Sequence, residues 1–141
     1  MAAGDGPMGA CDGLTRAEAE LFAWLQEVRT RAGRLPARLH PGLLRAAREK
    51  AAELAATLRA DHGDPWAPGP RERQAASGVR LRVMGGELLA LQPDLARVRL
   101  AWWASPAHRT LLLLPEHRWV GVAVAPVRPR GVAACVELGG D

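Results

Sequence analysis

The sequence predicts an α+β domain built as a three-layer α-β-α sandwich with a small, mainly antiparallel sheet. Apolar residues recur at helical spacing through most of the chain, and the period changes at the end to two β-rich runs, residues 119–127 and 132–138. Both runs are apolar at nearly every position, as a sheet covered on both faces requires. The 141 residues, 48% of them hydrophobic, are enough for one core. No apolar run approaches the roughly 18 residues that span a bilayer.

The first helix follows a small, Gly-rich segment, which we interpret as a flexible tail over residues 1–13 before a single domain at 14–141. Thr15 and Glu18 form a capping box, in which each side chain accepts a hydrogen bond from a free backbone N–H at the helix start. An apolar stripe of helical period then runs to Gly33. The tail has neither the basic nor the apolar region of a signal peptide.

A second helix is predicted to begin at Pro41, a first-turn proline, with an Ala-rich apolar face that ends at Leu58. Residues 61–70 contain several prolines and glycines and therefore form a loop. A short helical turn over residues 71–77 and a strand over residues 80–86 follow this loop.

The remaining predicted elements are two helices and a hairpin. Apolar residues at helical spacing run from Leu91 to Trp102, and we expect Trp102 to be buried in the core. Ser105 as N-cap and Pro106 at the first helical position start a further short helix. The two β-rich runs flank a turn at residues 128–131, which predicts an antiparallel hairpin.

The basic charge of the chain has a compositional explanation. The net charge is +4, but the sequence contains no Ile, Asn or Tyr and a single lysine, Lys50. Residues with AT-rich codons are depleted, which indicates a GC-rich genome in which Arg replaces Lys. The basic balance alone is therefore poor support for a nucleic-acid partner.

Two cysteines exclude a disulfide-dense scaffold and a cysteine-based zinc site, because neither Cys11 nor Cys135 has a neighbour at ligand spacing. Either one long-range disulfide joins them or both thiols are free. We predict free thiols, with Cys135 buried in the last strand, because Cys11 lies in a tail without an anchoring pattern.

The most informative stretch is W-W-A-S-P-A-H-R at residues 102–109, followed by V-G-V-A-V at residues 120–124. It resembles the W-x-x-S-P-x-H-R and VGVAV signature of bacterial SCP-type domains. These belong to the CAP superfamily, with cysteine-rich secretory proteins, venom antigens and pathogenesis-related proteins. The similarity extends from Leu21 to Leu138, and Gly86-Glu87 resembles the start of the family's Gly-Glu-Asn strand end. The resemblance implies the sandwich fold and a secreted or cell-envelope bacterial protein, which we expect to be monomeric.

The resemblance also implies a site. In better-known members of the family, two His and two acidic residues face a central cleft that can hold a divalent cation. His62, Glu87 and His108 match three of these positions, and the fourth, acidic in the family, falls on Ser105. We therefore expect a cleft lined by these four residues. His62, Glu87 and His108 would be the ligands of a weakly bound cation such as Zn²⁺, because two imidazoles and a carboxylate form open zinc sites.

Each of these residues also has a purely structural interpretation. His62 could be an exposed loop residue, Glu87 a solvated residue at a strand end, and His108 a first-turn helix residue. His62 and His108 are far apart in the sequence, and only the resemblance brings them together. His40 and His117 are assigned to structure or solvent, His40 at the cap position before the second helix.

We expect a non-enzymatic binding or interaction domain outside the cell, with a small-molecule, lipid or surface-protein ligand, as the resemblance implies. The alternative is a metal-dependent hydrolase in the same cleft, whereas no serine lies in a G-x-S-x-G motif. Because the sequence carries no signal peptide, a cytoplasmic location stays open. Nucleic acid is not expected, because six arginines lack aromatic interleaving or a docking-helix pattern: Arg71, Arg73, Arg80, Arg82, Arg97 and Arg99.

Overall fold

The computed structural model describes residues 13–63 and 68–141, and it has the predicted α-β-α architecture. The rest of the predicted tail, with Cys11, lies outside the described residues. The helices are α1 (Arg16–Arg31), α2 (Pro41–Thr57), α3 (Pro70–Ala76), α4 (Leu95–Ala104) and α5 (Pro106–Leu113). The strands are β1 (Arg38–Leu39), β2 (Val83–Gln92), β3 (Trp119–Pro126) and β4 (Val132–Gly140). None of the described helices is both long and apolar enough to span a membrane.

The four strands form one mixed sheet in the order β1-β3-β4-β2. Strands β3 and β4 form the predicted antiparallel hairpin, and β2 pairs antiparallel with the other side of β4. Strand β1 is parallel to β3 and was not predicted, because a strand of two residues has no alternation to detect. The sheet is therefore mainly antiparallel with one parallel edge, and β2 forms the other edge.

Helices cover both faces of the sheet. On one face, α1, α4 and α5 pack against a core that includes Leu25, Trp102 and Leu112. On the other face, α2 packs its Ala-rich stripe against Ala123 and Cys135. Trp102 is 1% exposed, and its indole Nε1 donates a hydrogen bond to the carbonyl of Leu89 at 3.0 Å, which confirms the prediction that it is buried.

Two predicted boundaries are wrong around β2. The strand begins at Val83 and runs to Gln92, so Glu87 lies inside the strand and not at its end. Helix α4 consequently begins at Leu95 and does not include Leu91. The apolar residues after Glu87 pair along β4, and Asp94 caps the helix by accepting from the Arg97 N–H at 2.9 Å.

The sequence predicted a capping residue before three of the helices, and two of these residues form the capping hydrogen bonds. The capping box of Thr15 and Glu18 is present, with both hydrogen bonds formed. His40 caps α2, since its Nδ1 accepts from the backbone N–H of Gly42 and Leu43. Ser105 occupies the N-cap position of α5, but its side chain makes no capping hydrogen bond. The predicted capping role of the Ser105 hydroxyl is therefore wrong.

Candidate functional site

Glu87 is the centre of the candidate site. Its side chain is fully buried on the edge strand β2, where it accepts hydrogen bonds from His62, Arg73 and Glu137. Burial alone would raise the pKa of Glu87, but these three hydrogen bonds outweigh the desolvation and hold the pKa below its usual range. Glu87 is therefore an ionised carboxylate inside the protein, and the alternative that it is a solvated residue at a strand end is wrong.

His62 contacts Glu87 directly. Its Nδ1 lies 2.7 Å from Oε1 of Glu87, and its side chain is 57% exposed. Because an ionised carboxylate only accepts hydrogen bonds, Nδ1 of His62 must carry the proton. With Nδ1 held by Glu87, Nε2 is the ring nitrogen of His62 that remains for a ligand, as in metal-binding histidines oriented by a carboxylate.

His108 lies in the first turn of α5, close enough to His62 for the charge of His62 to affect it. Burial first, and then this charge, lower the pKa of His108. Its Nδ1 is buried and has no hydrogen-bond partner among the described residues. A buried polar atom without a partner is costly, so this nitrogen of His108 is an unpaired polar atom within the described part of the site.

Ser105 lies between α4 and α5, three residues before His108. Its hydroxyl is neither a helix cap nor hydrogen-bonded to an imidazole in the described part of the chain. Ser105 occupies the fourth expected position, but its hydroxyl makes no contact in the described part of the chain that would assign it a role.

Glu137 lies directly opposite Glu87 on β4 and is fully buried. Burial first, and then the hydrogen bond and negative charge of Glu87, raise the pKa of Glu137 to about 9. At neutral pH the pair therefore holds one proton, which Glu137 donates to the ionised Glu87. Gln74 fixes this arrangement, because its Nε2 donates to Oε1 of Glu137 at 2.8 Å and its Oε1 accepts from the Gly85 N–H at 2.7 Å.

Arg73 supplies the positive charge of the site. Its guanidinium donates one N–H to Glu87 and two more hydrogen bonds to the carbonyls of His62 and Pro68, at 3.1 and 2.9 Å. Burial would lower the pKa of Arg73, but the hydrogen bond to Glu87 and the charges of Glu87 and Glu137 raise it. Arg73 is therefore fully charged and joins the His62 loop to the edge strand.

Arg73, Gln74 and Glu137 are residues of this cluster that were not predicted from the sequence. Glu137 had a signal, since a single acidic residue in an otherwise apolar strand is costly to bury unless it is paired. Arg73 had none, because it resembles the other arginines of an Arg-rich chain. Gln74 is uncharged and lies in a helix of only seven residues, where no period can be recognised.

Cys135 lies behind the two glutamates. It is fully buried in the last strand, as predicted, and its free Sγ donates to Oε2 of Glu137 at 3.0 Å. The ligand atoms of Glu87, Cys135 and Glu137 lie within 4.8 Å of one another. Burial first, and then the charges of the glutamates, raise the pKa of Cys135 well above its usual value. A metal ion in this inner cluster would have to displace the protons of both Cys135 and Glu137.

A second concave surface lies between α1 and α4. This groove has a volume of about 650 Å³, and its apolar lining includes Trp24, Val28, Leu100 and Trp103. Leu100 is 69% exposed and Trp103 is 40% exposed, so both side chains are accessible in the groove. Its charged lining residues are Glu27, Arg31 and Arg99, and Glu27 pairs with Arg31 at 3.1 Å.

The six arginines considered for nucleic acid do not form one surface. Arg73 pairs with the buried Glu87, and Arg97 pairs with Asp94 at 2.9 Å. Three others line a shallow depression beside α3: Arg71, Arg80 and Arg82.

Comparisons with known proteins agree with the fold. The structure of an outer surface protein from Borrelia burgdorferi superposes with a TM-score of 0.77 at 20% identity, over 89% of this chain and 93% of that chain. An extracellular protein with an SCP domain from Bacillus anthracis gives 0.74 at 17% identity, over 89% of this chain and 40% of that chain. The venom allergen-like protein 4 of Schistosoma mansoni gives 0.65 at 13% identity, over 91% of each chain.

At these identities the likeness of the solved structures concerns the fold. A search of curated protein sequences gave no match. The sequence profile of the CAP domain, described as the cysteine-rich secretory protein family, matches residues 24–136. This match covers most of the chain and includes the elements that carry His62, Glu87 and His108, so the chain belongs to the cysteine-rich secretory protein (CAP) family.

Proposed function

We propose that this chain is a non-enzymatic binding domain that acts outside the cell and binds its ligand in the cleft of His62, Glu87 and His108. The observation that carries the proposal is the hydrogen bond of 2.7 Å between Nδ1 of His62 and Oε1 of the buried Glu87, at a place where the charge of His62 also reaches His108. An extracellular role is supported by family membership and by the outer-surface and extracellular proteins that share the fold.

A weakly bound divalent cation is the ligand we propose for this cleft. The donor atoms of His62, Glu87 and His108 do not lie within 4.8 Å of one another as those of Glu87, Cys135 and Glu137 do, so a shared ion would require the side chains to move closer together. His62 is oriented by the Glu87 carboxylate through Nδ1, and Nδ1 of His108 is buried without a partner among the described residues. Glu87 is the weakest donor of the three, because its oxygens are already hydrogen-bonded. A bound cation would supply a Lewis-acid contact for an anionic group of a ligand. Ser105 has no carboxylate to strengthen such a site.

The contacts favour binding over nucleophilic catalysis. Ser105 has no hydrogen bond to a general base in the described part of the chain, and the Cys135 thiol is buried with a raised pKa, so it is a poor nucleophile. The metal-dependent hydrolase is the alternative, and hydrolysis of an ester substrate that depends on added Zn²⁺ and on His62 would support it.

Calorimetric titration of the metal-free protein with Zn²⁺ tests the cleft. We expect one weak site in the wild-type protein and its loss in a His62→Ala/His108→Ala double variant. The matched control is His40→Ala, since His40 is a helix cap outside the cleft and its loss should leave Zn²⁺ binding unchanged. Equal Zn²⁺ affinity in the wild type and the double variant would contradict the proposal.

The pH dependence of Zn²⁺ binding has a defined direction. A protonated imidazole cannot ligate a metal ion, so binding should weaken as the pH falls through the imidazole range, around 6.5. Because the pKa of His108 is lowered, His108 should stay neutral at more acidic pH than an exposed histidine. Zn²⁺ affinity that is constant between pH 7.5 and pH 5, a range chosen to bracket about 6.5, would contradict ligation by these rings.

The groove between α1 and α4 supports a second candidate function, the binding of a lipid-like ligand. Its volume of about 650 Å³ and its apolar lining suit a small amphiphile, and Arg99 suits an anionic head group. Titration with oleate, followed by tryptophan fluorescence, tests this function. We expect weaker binding in Leu100→Glu, whereas the exposed control Leu58→Glu, outside the groove, should bind as the wild type does.

A further inference from the structure

The cleft contains a permanent positive charge at the place where a metal ion would meet Glu87. Arg73 donates to Oε2 of Glu87, and its side chain is only 17% exposed. Its other terminal nitrogen is held by two backbone carbonyls, those of His62 and Pro68. The guanidinium is therefore fixed by three contacts, and it cannot leave Glu87 without breaking its link to the His62 loop.

Glu87 already has a permanent counter-charge. The Arg73 guanidinium donates to Oε2 of Glu87, and the Glu87 side chain is fully buried. A divalent cation on Glu87 would therefore be bound next to the fixed positive charge of Arg73.

We propose that Arg73 is a built-in cation of this cleft, which neutralises Glu87 in place of a metal ion and so determines the low affinity for divalent cations. The inference rests on the proposed function, since it concerns the same cleft. Its consequence is that Zn²⁺ or a similar ion binds through the two imidazoles, while Glu87 keeps Arg73 and orients His62.

The size of the effect follows from proton binding. A neighbouring arginine lowers the pKa of a carboxylate by about 1 to 3 units, which is a roughly 10- to 1000-fold loss of affinity for a proton. A metal ion competing for the same carboxylate meets the same repulsion. Removing the charge of Arg73 should therefore raise the Zn²⁺ affinity about tenfold or more.

The experiment compares the Zn²⁺ affinities of Arg73→Gln, Arg73→Lys and Arg71→Gln with the wild type by calorimetry. Arg71→Gln is the matched control, because it removes the same charge from an exposed position of the same helix. We expect the affinity to increase from the wild type to Arg73→Lys and further to Arg73→Gln, while Arg71→Gln stays at the wild-type value. A lysine ranks between the two because it retains the charge without the guanidinium fork.

Several results would overturn the inference. The first is a Zn²⁺ affinity of Arg73→Gln that equals that of the wild type. The second is a gain of Zn²⁺ affinity in Arg71→Gln as large as that in Arg73→Gln. The third is that neither Arg73 variant binds Zn²⁺ more tightly than the wild type. If Arg73→Gln does not fold, Arg73→Lys keeps the buried carboxylate paired, and its affinity must exceed that of the wild type.

The failure of this inference is distinguishable from failure of the proposed function. The His62→Ala/His108→Ala changes are added to Arg73→Gln for this purpose. If these changes leave Zn²⁺ binding unaffected, the cleft itself is not the site. If they abolish binding while Arg73→Gln alone equals the wild type, the cleft is correct and only the role of Arg73 is refuted.

Discussion

Glu137 shows how a buried pair of acids is accommodated inside a β-sheet. The antiparallel register places it directly opposite Glu87, and both side chains are buried. Two ionised carboxylates on directly opposite, buried residues would repel each other strongly, so one of them retains its proton. Arg73 and His62 contact Glu87 and not Glu137, which decides that Glu137 is the protonated member.

The free energy of unfolding of Glu137→Gln should therefore rise relative to that of the wild type as the pH rises. The folded pKa of Glu137, about 9, lies above its ordinary value of 4.5, so its stabilising contribution is complete below pH 4.5 and is lost towards pH 9. Glutamine does not titrate and keeps a donor towards Glu87. The difference in unfolding free energy should grow by up to about 1.4 kcal/mol per pH unit within this window.

Urea unfolding at several pH values measures this difference. Glu20→Gln is the control, because it removes one exposed carboxyl group and should show no such growth. A constant difference between Glu137→Gln and the wild type from pH 4.5 to pH 9 would show that Glu137 is ionised in the folded protein.

Cys135 should be chemically inert in the folded protein, because it is fully buried and its pKa is raised. In a Cys11→Ser variant, a thiol reagent such as DTNB should react only after unfolding. Rapid labelling under native conditions would mean that the sheet opens readily at this position. In the wild type, counting thiols in the denatured, unreduced monomer tests the prediction that no Cys11–Cys135 bridge is present.

At the scale of elements, the orientation of α4 is shown by two adjacent tryptophans in opposite environments. Trp102 is buried and hydrogen-bonded to the β2 carbonyl of Leu89, whereas Trp103 is 40% exposed in the groove. Trp102→Ala should cost about 3 to 5 kcal/mol, because it removes a large core side chain and leaves a cavity. Trp103→Ala should cost about 1 kcal/mol or less. Thermal unfolding compares them, and similar losses would contradict this orientation of α4.

Most elements were predictable because their signals are local. The capping box at Thr15, the proline at the start of α2 and the period of the apolar stripes depend on neighbouring residues. The boundary between β2 and α4 was not predictable in this way. Leu91 fits a helical stripe and a buried strand equally well, and only its pairing with Ala133 on β4 decides between them.

The candidate site was predictable only in part for the same reason. The resemblance identified His62, Glu87 and His108. In the structure His62 is hydrogen-bonded to Glu87, and the charge of His62 contributes to lowering the pKa of His108 after burial. The partners of Glu87 were not foreseen, because Arg73 and Glu137 reach it through tertiary contacts. A register shift in β2 between Val83 and Gly86 also lies next to this site and has no sequence signature other than its glycines.

At the scale of the whole molecule, the topology explains why the side-chain cluster around Glu87 forms beside β2. This strand is the last in the sheet order, so no further strand of the described chain pairs with its outer edge. Side chains supply the hydrogen bonds of that edge instead. The Gln74 amide bonds to the backbone of Gly85 and Gly86, and the Trp102 indole donates to the Leu89 carbonyl. Helix α3 and the His62 loop can therefore meet at Glu87 through Arg73 and His62, and α5 also packs against β2.

The most direct test of the account is a nitrogen-15 NMR titration of the histidine rings with Zn²⁺. The chain has four histidines, and two of them are internal controls. His40 uses Nδ1 to cap α2, and His117 is buried with Nδ1 donating to the Leu111 carbonyl at 2.8 Å. The account predicts that the ring nitrogens of His62 and His108 shift while those of His40 and His117 do not. Unchanged signals from His62 and His108, or equal shifts of all four rings, would contradict it.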